Sequence, residues 1–119
     1  CQLQSEWLIL HIDDLCKIIH LQIKQINKIN NQIFNIGGGK NNSIDLKSLT
    51  YLSKKITKNE IIIESKKSTD ISDIPIYISN NKKVTQYYNW KPIKKISEIA
   101  LDVYKWQLKN FSSLKKFMK

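Results

Sequence analysis

Apolar residues recur at helical spacing in some stretches of the chain and stand side by side in others. Three stretches have the helical period: 13–29, 44–57 and 98–110. A cap at Asn80 or Asn81 predicts a further short helix that leads to Tyr88. Three short runs are typical of β-strands: 33–36, 60–64 and 76–78. This order of elements predicts a mixed α/β fold. Because a parallel sheet buried on both faces needs more strands than these, we expect an incomplete fold that continues a larger one.

Capping residues and chain breakers set the expected helix ends. The acidic pair at 13–14 suits the positive end of the first helix dipole. The polar pair at 42–43 is expected to cap the second helix, and Ser97 the last. Pro92 separates the last two helices, because it disfavours helix at the residue before it. The basic tail from Ser112 onward is expected to fray.

Each long helix is expected to bury one apolar face. The predicted inward residues are Leu15, Ile18, Ile19, Ile23 and Ile26 in the first helix, Leu46, Leu49, Leu52 and Ile56 in the second, and Ile99, Ala100, Val103 and Trp106 in the last. Cys16 lies within the first of these patterns, and we expect it to be a small buried hydrophobic residue.

Composition narrows the possible functions. The net charge of +10 is compatible with nucleic-acid binding, but all 20 basic residues are Lys and none is Arg. Arg is the residue whose planar fork reads guanine, and the Lys residues here are scattered rather than clustered. Abundant Ile and Asn accompany the Lys, as coding from an AT-rich genome would produce. We therefore expect no nucleic-acid partner, and a free-standing basic binding module is the weaker alternative.

Cysteine usage and hydropathy favour a cytoplasmic protein. Cys1 and Cys16 are too few for a disulfide framework or a zinc site, which makes a reducing compartment the default. No apolar run approaches the roughly 18 residues that span a bilayer, and the first residues lack the pattern of a signal peptide. We expect no membrane partner.

Two glycine and tyrosine patterns resemble known motifs only in part. The glycines at 37–39 precede Lys40, but the spacing fits neither a P-loop nor the dinucleotide fingerprint. They predict a tight strand-to-helix turn that could line a ligand cleft. Tyr51 and Lys55 have the spacing of a dehydrogenase catalytic pair, but they follow the glycine turn with no cofactor strand near, so we interpret the pair as solvent-facing.

No metal site is expected. His11 and His20 stand nine residues apart, which is not a ligand spacing on one helix face. The acidic pair at 13–14 next to His11 is better explained as the start of a helix than as a ligand set.

Taken together, five segments resemble the extended short-chain dehydrogenases in order and spacing, over residues 8 to 107. They are His-Ile-Asp-Asp-Leu at 11–15, Phe-Asn-Ile-Gly-Gly-Gly at 34–39, Asn-Ser-Ile-Asp-Leu at 42–46, Asp-Ile-Pro-Ile-Tyr-Ile at 73–78, and Asn-Trp-Lys-Pro at 89–92 with Ile-Ser-Glu at 96–98. Within that family the glycine turn followed by Asn-Ser is most similar to CDP-paratose 2-epimerases (CDP-tyvelose epimerases). UDP-glucose 4-epimerases and nucleotide-sugar dehydratases are close relatives.

The resemblance implies the C-terminal portion of an NAD-dependent nucleotide-sugar epimerase. Residues 1–58 would be the end of the Rossmann-type region, with a late Rossmann strand and helices. Residues 59–111 would form a small α/β substrate-binding subdomain, and 112–119 a basic tail. NAD and the catalytic Tyr-x-x-x-Lys pair would belong to the parent enzyme's N-terminal part, which these residues do not match. The partner would be a nucleotide sugar, and the parent would be a homodimer, as members of this family often are.

Four residues are implicated in substrate binding by this resemblance. Asp73 and Tyr77 match family positions at the nucleotide-diphosphate site, where a carboxylate can accept from a ribose hydroxyl and a tyrosine can pack and donate. Asp70 and Trp7 stand where the family usually has arginines facing the diphosphate. Asp70 would repel phosphate, so nearby Lys at 66–67 would have to substitute, or the copy is an inactive remnant.

Overall fold

The computed structural model describes residues 6–60, 62 and 77–117, and within these ranges it contains four α-helices and two short β-strands. In chain order they are β1 (Glu6–Leu8), α1 (Ile12–Lys24), β2 (Ser43–Asp45), α2 (Leu46–Thr57), α3 (Lys82–Tyr88) and α4 (Ile96–Phe117). A 3-10 turn, Lys40–Asn42, leads into β2. The described part is thus a small, mostly helical unit with a two-stranded antiparallel sheet.

The sheet differs from the predicted one. β1 pairs antiparallel with β2, which places Trp7 opposite Ile44. The run at 33–36, predicted as a late Rossmann strand, is assigned to no strand. Its apolar side chains Phe34 and Ile36 pack against the core, while Ile33 is 87% exposed. No parallel sheet is present in the described ranges, so the expected Rossmann strand is not formed there.

The other two predicted strands fall mostly outside the described residues. In the 60–64 run, Glu60 and Ile62 are not in a strand. In the 76–78 run, Tyr77 and Ile78 are not in a strand either. The remaining positions of both runs lie outside the described ranges. The predicted division at residues 58 and 111 stays a prediction.

Helix α1 begins at the acidic pair, as predicted, and ends earlier than expected. His11 is its N-cap, and the His11 Nδ1 accepts a hydrogen bond of 3.0 Å from the Asp13 amide. The helix stops at Lys24 rather than at residue 29. The Asn-rich segment that follows favours turns over helix, because Asn side chains compete for the backbone. Asn31 adopts a positive φ of 52° in that segment.

The inner face of α1 is narrower than the apolar pattern suggested. Ile18 is fully buried, as predicted, but Ile19, Ile23 and Ile26 are 44%, 64% and 59% exposed. Cys16 is exposed too, so its predicted burial is wrong. Helix α3 packs on α1 and covers only a narrow line along it.

Helix α2 is capped by a residue that the sequence pattern did not single out. The Asp45 carboxylate accepts hydrogen bonds from the Ser48 amide at 2.9 Å and the Ser48 hydroxyl at 2.5 Å. The predicted caps Asn42 and Ser43 instead donate their side-chain hydrogens to backbone carbonyls elsewhere. Asp three residues before Ser therefore gives the helix its start, and Lys58 ends it in the left-handed conformation at φ 62°.

The Asp45 cap predicts a pH dependence of α2. The two hydrogen bonds from Ser48 hold the pKa of Asp45 below its ordinary value of 3.8. Because the pKa is lowered in the folded state, the ionised cap stabilises the helix at pH values above the ordinary pKa. This contribution is lost as the pH falls through the folded-state pKa. An NMR titration should give an Asp45 midpoint below 3.8, with the Ser48 amide shifting at the same midpoint. Asp45→Asn should remove that shift, and a midpoint at or above the ordinary value would contradict the cap.

Helix α4 is longer than predicted at both ends. It begins at Ile96, because the Glu98 carboxylate accepts a hydrogen bond of 2.9 Å from the Lys95 amide just ahead of it. Ser97 is therefore inside the helix and does not cap it. The tail from Ser112, expected to fray, is helical to Phe117. Among the described helices, none is both long enough and apolar enough to cross a membrane.

The predicted inner face of α4 is confirmed only near its start. Ile99 is buried where α2 packs against α4. Val103 and Trp106, predicted to be inward, are 51% and 56% exposed. The Tyr51 and Lys55 side chains of α2 face solvent, as expected for a chance occurrence of the catalytic spacing.

The core lies between α1, α3 and the segment that follows α3. Its buried members are Ile18, Val84, Tyr88 and Trp90. Phe34 packs edge-on against Tyr88, with ring centroids 5.3 Å apart. α3 ends at Tyr88 as predicted, with Asn89 in the left-handed conformation. The chain then turns through Pro92 towards α4, which brings residues 90–94 against the start of α1.

Candidate functional site at the glycine turn

The glycine turn at 37–39 is enclosed by backbone on one side. A Cβ on Gly38 would overlap the Ile9 carbonyl oxygen and stand 2.8 Å from the Asn42 Cβ. Ile9 directly follows β1, and its amide donates to the Asn42 carbonyl at 2.9 Å, which fixes this end of the strand beside the turn. Gly39 has a φ of 68°, a conformation that side chains rarely adopt. The glycines are therefore required for close approach to β1 and for the turn itself.

Polar side chains close the other side of the turn. The Asn81 amide nitrogen donates to the Gly37 carbonyl at 2.7 Å. The hydroxyl of Ser79, which is 7% exposed, accepts from the Gly39 amide at 3.4 Å. The Asn81 Oδ1 is buried and has no hydrogen-bond partner among the described residues. A buried acceptor without a donor is uncommon and suits a water or a ligand hydroxyl.

Asp14 joins the start of α1 to the loop before α4. Its side chain is almost completely buried, and one oxygen, Oδ2, accepts from the amides of Ile93 and Lys94, each at 3.0 Å. The Trp90 indole donates to the Asp14 carbonyl at 3.1 Å. Asn42 also reaches this loop, since its amide nitrogen donates to the Lys94 carbonyl at 2.8 Å. The acidic residue that we interpreted as a helix start thus also holds a distant loop.

His11 belongs to a second polar cluster. Its Nε2 lies 3.4 Å from Asp102 Oδ2, and the Lys94 ammonium lies 3.3 Å from the same oxygen. The Asp102 carboxylate raises the pKa of Lys94 above its ordinary value of 10.5. The larger cause is the hydrogen bond between the two side chains, and the second is the attraction between their charges. Because His11 Nδ1 already accepts the Asp13 amide, we interpret this cluster as a tie between α1 and α4.

No metal centre is formed by this cluster. Within 6–60, 62 and 77–117, no group of three His, Cys, Asp or Glu side chains could hold a metal ion.

An open depression of about 630 Å³ lies between the glycine turn and the loop before α4. Gly38 to Asn42 form one wall, residues 91–97 form the other, and Asn81 contributes to the lining. Its four cationic residues are Lys40, Lys91, Lys94 and Lys95. Lys94 is paired with Asp102, and the other three are exposed. Lysines gathered on one concave surface suit an anionic ligand. Of the predicted features, the glycine turn is the one placed at this cleft.

Two of the four predicted substrate residues lie within the described ranges, and two lie outside them. Asp70 and Asp73, with Lys at 66–67, lie outside them. Trp7 is in β1 and is 62% exposed, and Tyr77 is 61% exposed. Each stands two residues from a group at the glycine turn: Trp7 precedes Ile9, and Tyr77 precedes Ser79. Neither Trp7 nor Tyr77 lines the depression.

Sequence reasoning did not single out Asn42, Ser79 or Asn81 as residues that build this site. Asn42 and Asn81 were considered only as helix caps. The usable signal was the amide-rich composition on both sides of the glycines, because Asn side chains can satisfy the backbone groups of an irregular turn. Lys40 was considered as part of a P-loop, and it lines the depression without one.

No protein-family model matches the chain, and no curated protein matches it in sequence.

Proposed function

We propose that the chain forms the C-terminal, substrate-side part of an NAD-dependent nucleotide-sugar epimerase, similar to CDP-paratose 2-epimerases. In such an enzyme, bound NAD removes a hydride from a sugar carbon and returns it to the opposite face of the ketone. The residues of this chain would bind and orient the nucleotide diphosphate. The cofactor and the catalytic tyrosine would belong to the parent enzyme's N-terminal part.

The observation that carries the proposal is the mutual packing of the segments that resemble the family. Segment 11–15 contacts segment 89–92 through the Trp90 indole, which donates to the Asp14 carbonyl. Asp14 and Asn42 also bond to residues 93–94, in the loop between segments 89–92 and 96–98. Segment 34–39 lies against Ile9, just ahead of segment 11–15. These contacts hold segments that are far apart in the chain close to the glycine turn.

The depression at the turn supports the nucleotide part of the proposal. A nucleoside diphosphate presents phosphate oxygens to cations and hydroxyl groups to acceptors. The lysines of the depression supply the cations, and the Asn81 Oδ1 supplies an acceptor without a donor. Tyr77 is exposed two residues before Ser79, and a tyrosine can pack on a base or donate to a phosphate.

The proposal also accounts for apolar surface that the unit leaves uncovered. Ile19 and Ile23 on α1 and Ile33 in the run at 33–36 are all exposed. Apolar side chains of this kind are covered in a sheet that is buried on both faces. The upstream strands of a parent enzyme would cover both.

Restoring the two arginines that the family has should strengthen nucleotide binding. We expect Trp7→Arg and Asp70→Arg each to tighten CDP binding about tenfold or more, because a charge-assisted bond to phosphate contributes about 1.5–3 kcal/mol. Calorimetric titration of CDP into the purified chain measures this. Tyr77→Phe should weaken binding, and UDP titrated in parallel separates a CDP enzyme from a UDP-glucose 4-epimerase relative.

Matched controls make the test specific to the proposed positions. Ile12→Arg introduces the same charge as Trp7→Arg, and Ile12 and Trp7 are both 62% exposed. Asp13→Arg makes the same charge change as Asp70→Arg on an exposed carboxylate. If these controls tighten CDP binding as much as the proposed variants, the effect is non-specific and the proposal fails. If none of the variants binds CDP or UDP, the inactive remnant is the better interpretation.

A further inference from the structure

The two halves of α4 have different surroundings. Its first half packs against α2, where Ile99 is buried. Its second half, residues 105–117, which we call the distal half, leaves large apolar side chains in solvent. Trp106, Leu108 and Phe111 are 56%, 60% and 65% exposed. This surface is not part of the depression at the glycine turn.

Charge in the distal half has one sign only. Its lysines, all exposed, are Lys105, Lys109, Lys115 and Lys116. The chain contains no Asp or Glu after Asp102. At about 100° per residue, Lys105, Lys109 and Lys116 fall within roughly 40° of one another. By the same rule Trp106, Leu114 and Phe111 span about 140° on the opposite side. That sector also contains Gln107 and Asn110, while Leu108 and Lys115 lie between the two sides. The distal half is therefore a basic amphipathic helix with aromatic residues on its apolar face.

We propose that the distal half of α4 binds the surface of an anionic lipid membrane. A helix that lies in the interface buries Trp, Phe and Leu side chains at the headgroup boundary and directs its lysines towards phosphate groups. Each Lys or Arg near an anionic surface adds about 1 kcal/mol of attraction. The exposed aromatic face and the one-signed charge both match this partner. The expectation of no membrane partner rested on the lack of a spanning run, which a surface helix does not need.

Other occupants fit the same observations less well. Nucleic acid would satisfy the lysines but would leave Trp106, Phe111 and the rest of the apolar face unused. A second copy of the chain would bring two basic helices together, and the net charge of +10 on each copy opposes that contact. An anionic lipid surface is the partner that uses both faces of the helix.

Vesicle co-sedimentation of the full chain tests this proposal. We expect the chain to pellet with vesicles of phosphatidylcholine containing phosphatidylglycerol, and not with phosphatidylcholine alone. The double variant Lys105→Glu, Lys109→Glu should lower the partition coefficient at least about tenfold. Trp106→Ala with Phe111→Ala should lower it similarly. Raising the salt concentration should weaken the binding.

Matched variants on α2 separate the helix from net charge and general stickiness. Lys47→Glu with Lys55→Glu makes the same change of charge at exposed lysines of α2 and should leave the partition unchanged. Tyr51→Ala removes an aromatic residue that is 71% exposed and should also have no effect. Equal losses in both sets would overturn the proposal, as would equal pelleting with uncharged vesicles. If the chain does not bind vesicles, either of two results would also overturn the proposal. One is a dimer that dissociates on Trp106→Ala, and the other is RNA binding that survives loss of the apolar face.

Discussion

Gly38→Ala is expected to cost about 3 kcal/mol of unfolding free energy, at the upper end of the usual cost of overpacking. The added methyl group would overlap the Ile9 carbonyl, which is backbone and cannot rotate away. Relief requires β1 to move away from the turn, and this strains the Ile9–Asn42 hydrogen bond. Since small domains have about 5–15 kcal/mol in total, such a loss removes a large part of the stability.

Urea unfolding followed by tryptophan fluorescence measures this loss. Trp90 is 2% exposed and reports the core, whereas Trp7 and Trp106 are already exposed in the folded chain. Gly38 is in the wall of the depression where we propose that a nucleotide binds, so CDP binding should fall together with stability. A Gly38→Ala protein as stable as the parent would show that β1 does not approach the turn as described.

Gly37 provides a matched comparison, because its neighbour is a side chain. A Cβ at Gly37 would meet the Ser79 hydroxyl and stand 2.8 Å from the Ser79 Cβ. Ser79→Gly should therefore recover part of the loss caused by Gly37→Ala. The same Ser79→Gly change should not rescue Gly38→Ala. A double-mutant cycle that shows coupling at both glycines would contradict the separate contacts.

The positions of the helices could be predicted from the sequence better than the elements that pack against them. Periodic apolar spacing predicted three of the four described helices, and the expected cap at Asn80 or Asn81 predicted α3, which ends at Tyr88 as expected. The extent of burial was wrong at Ile23 and Trp106, because periodicity identifies an apolar face and not what covers it. The strand predicted at 33–36 failed for a related reason, since a strand requires a neighbour and none lies beside it in the described residues.

The candidate site was predictable only in part. The glycine turn was recognised, because three consecutive glycines indicate close approach of the backbone. What closes around it comes from residues about 40 positions away, such as Ser79 and Asn81, and no local pattern indicates that pairing. The Asp14 bonds to the loop before α4 span about 80 positions. Local spacing carries no information on contacts of that range.

Asp14→Leu is expected to cost about 3 kcal/mol, because the Ile93 and Lys94 amides lose the oxygen that accepts both of them. Each unpaired buried donor costs about 1–3 kcal/mol. Asp14→Asn should cost about 1 kcal/mol, since one amide oxygen can accept both hydrogen bonds, as Asp14 Oδ2 does. The order Asp, Asn, Leu in stability is the signature of an acceptor role and not of charge alone.

Asp13→Leu is the control for this series, because it removes the same charge one residue away. The Asp13 side chain is 74% exposed, so its loss should change stability by about 0.5 kcal/mol or less. Hydrogen exchange at the Ile93 and Lys94 amides gives a local readout: protection should fall in Asp14→Leu and persist in Asp14→Asn and Asp13→Leu. Removing a buried carboxylate also removes its desolvation cost, which favours Leu. If Asp14→Leu were as stable as Asp14→Asn, that gain would outweigh the two lost bonds, and the loop before α4 would be held by the Trp90 and Asn42 contacts instead.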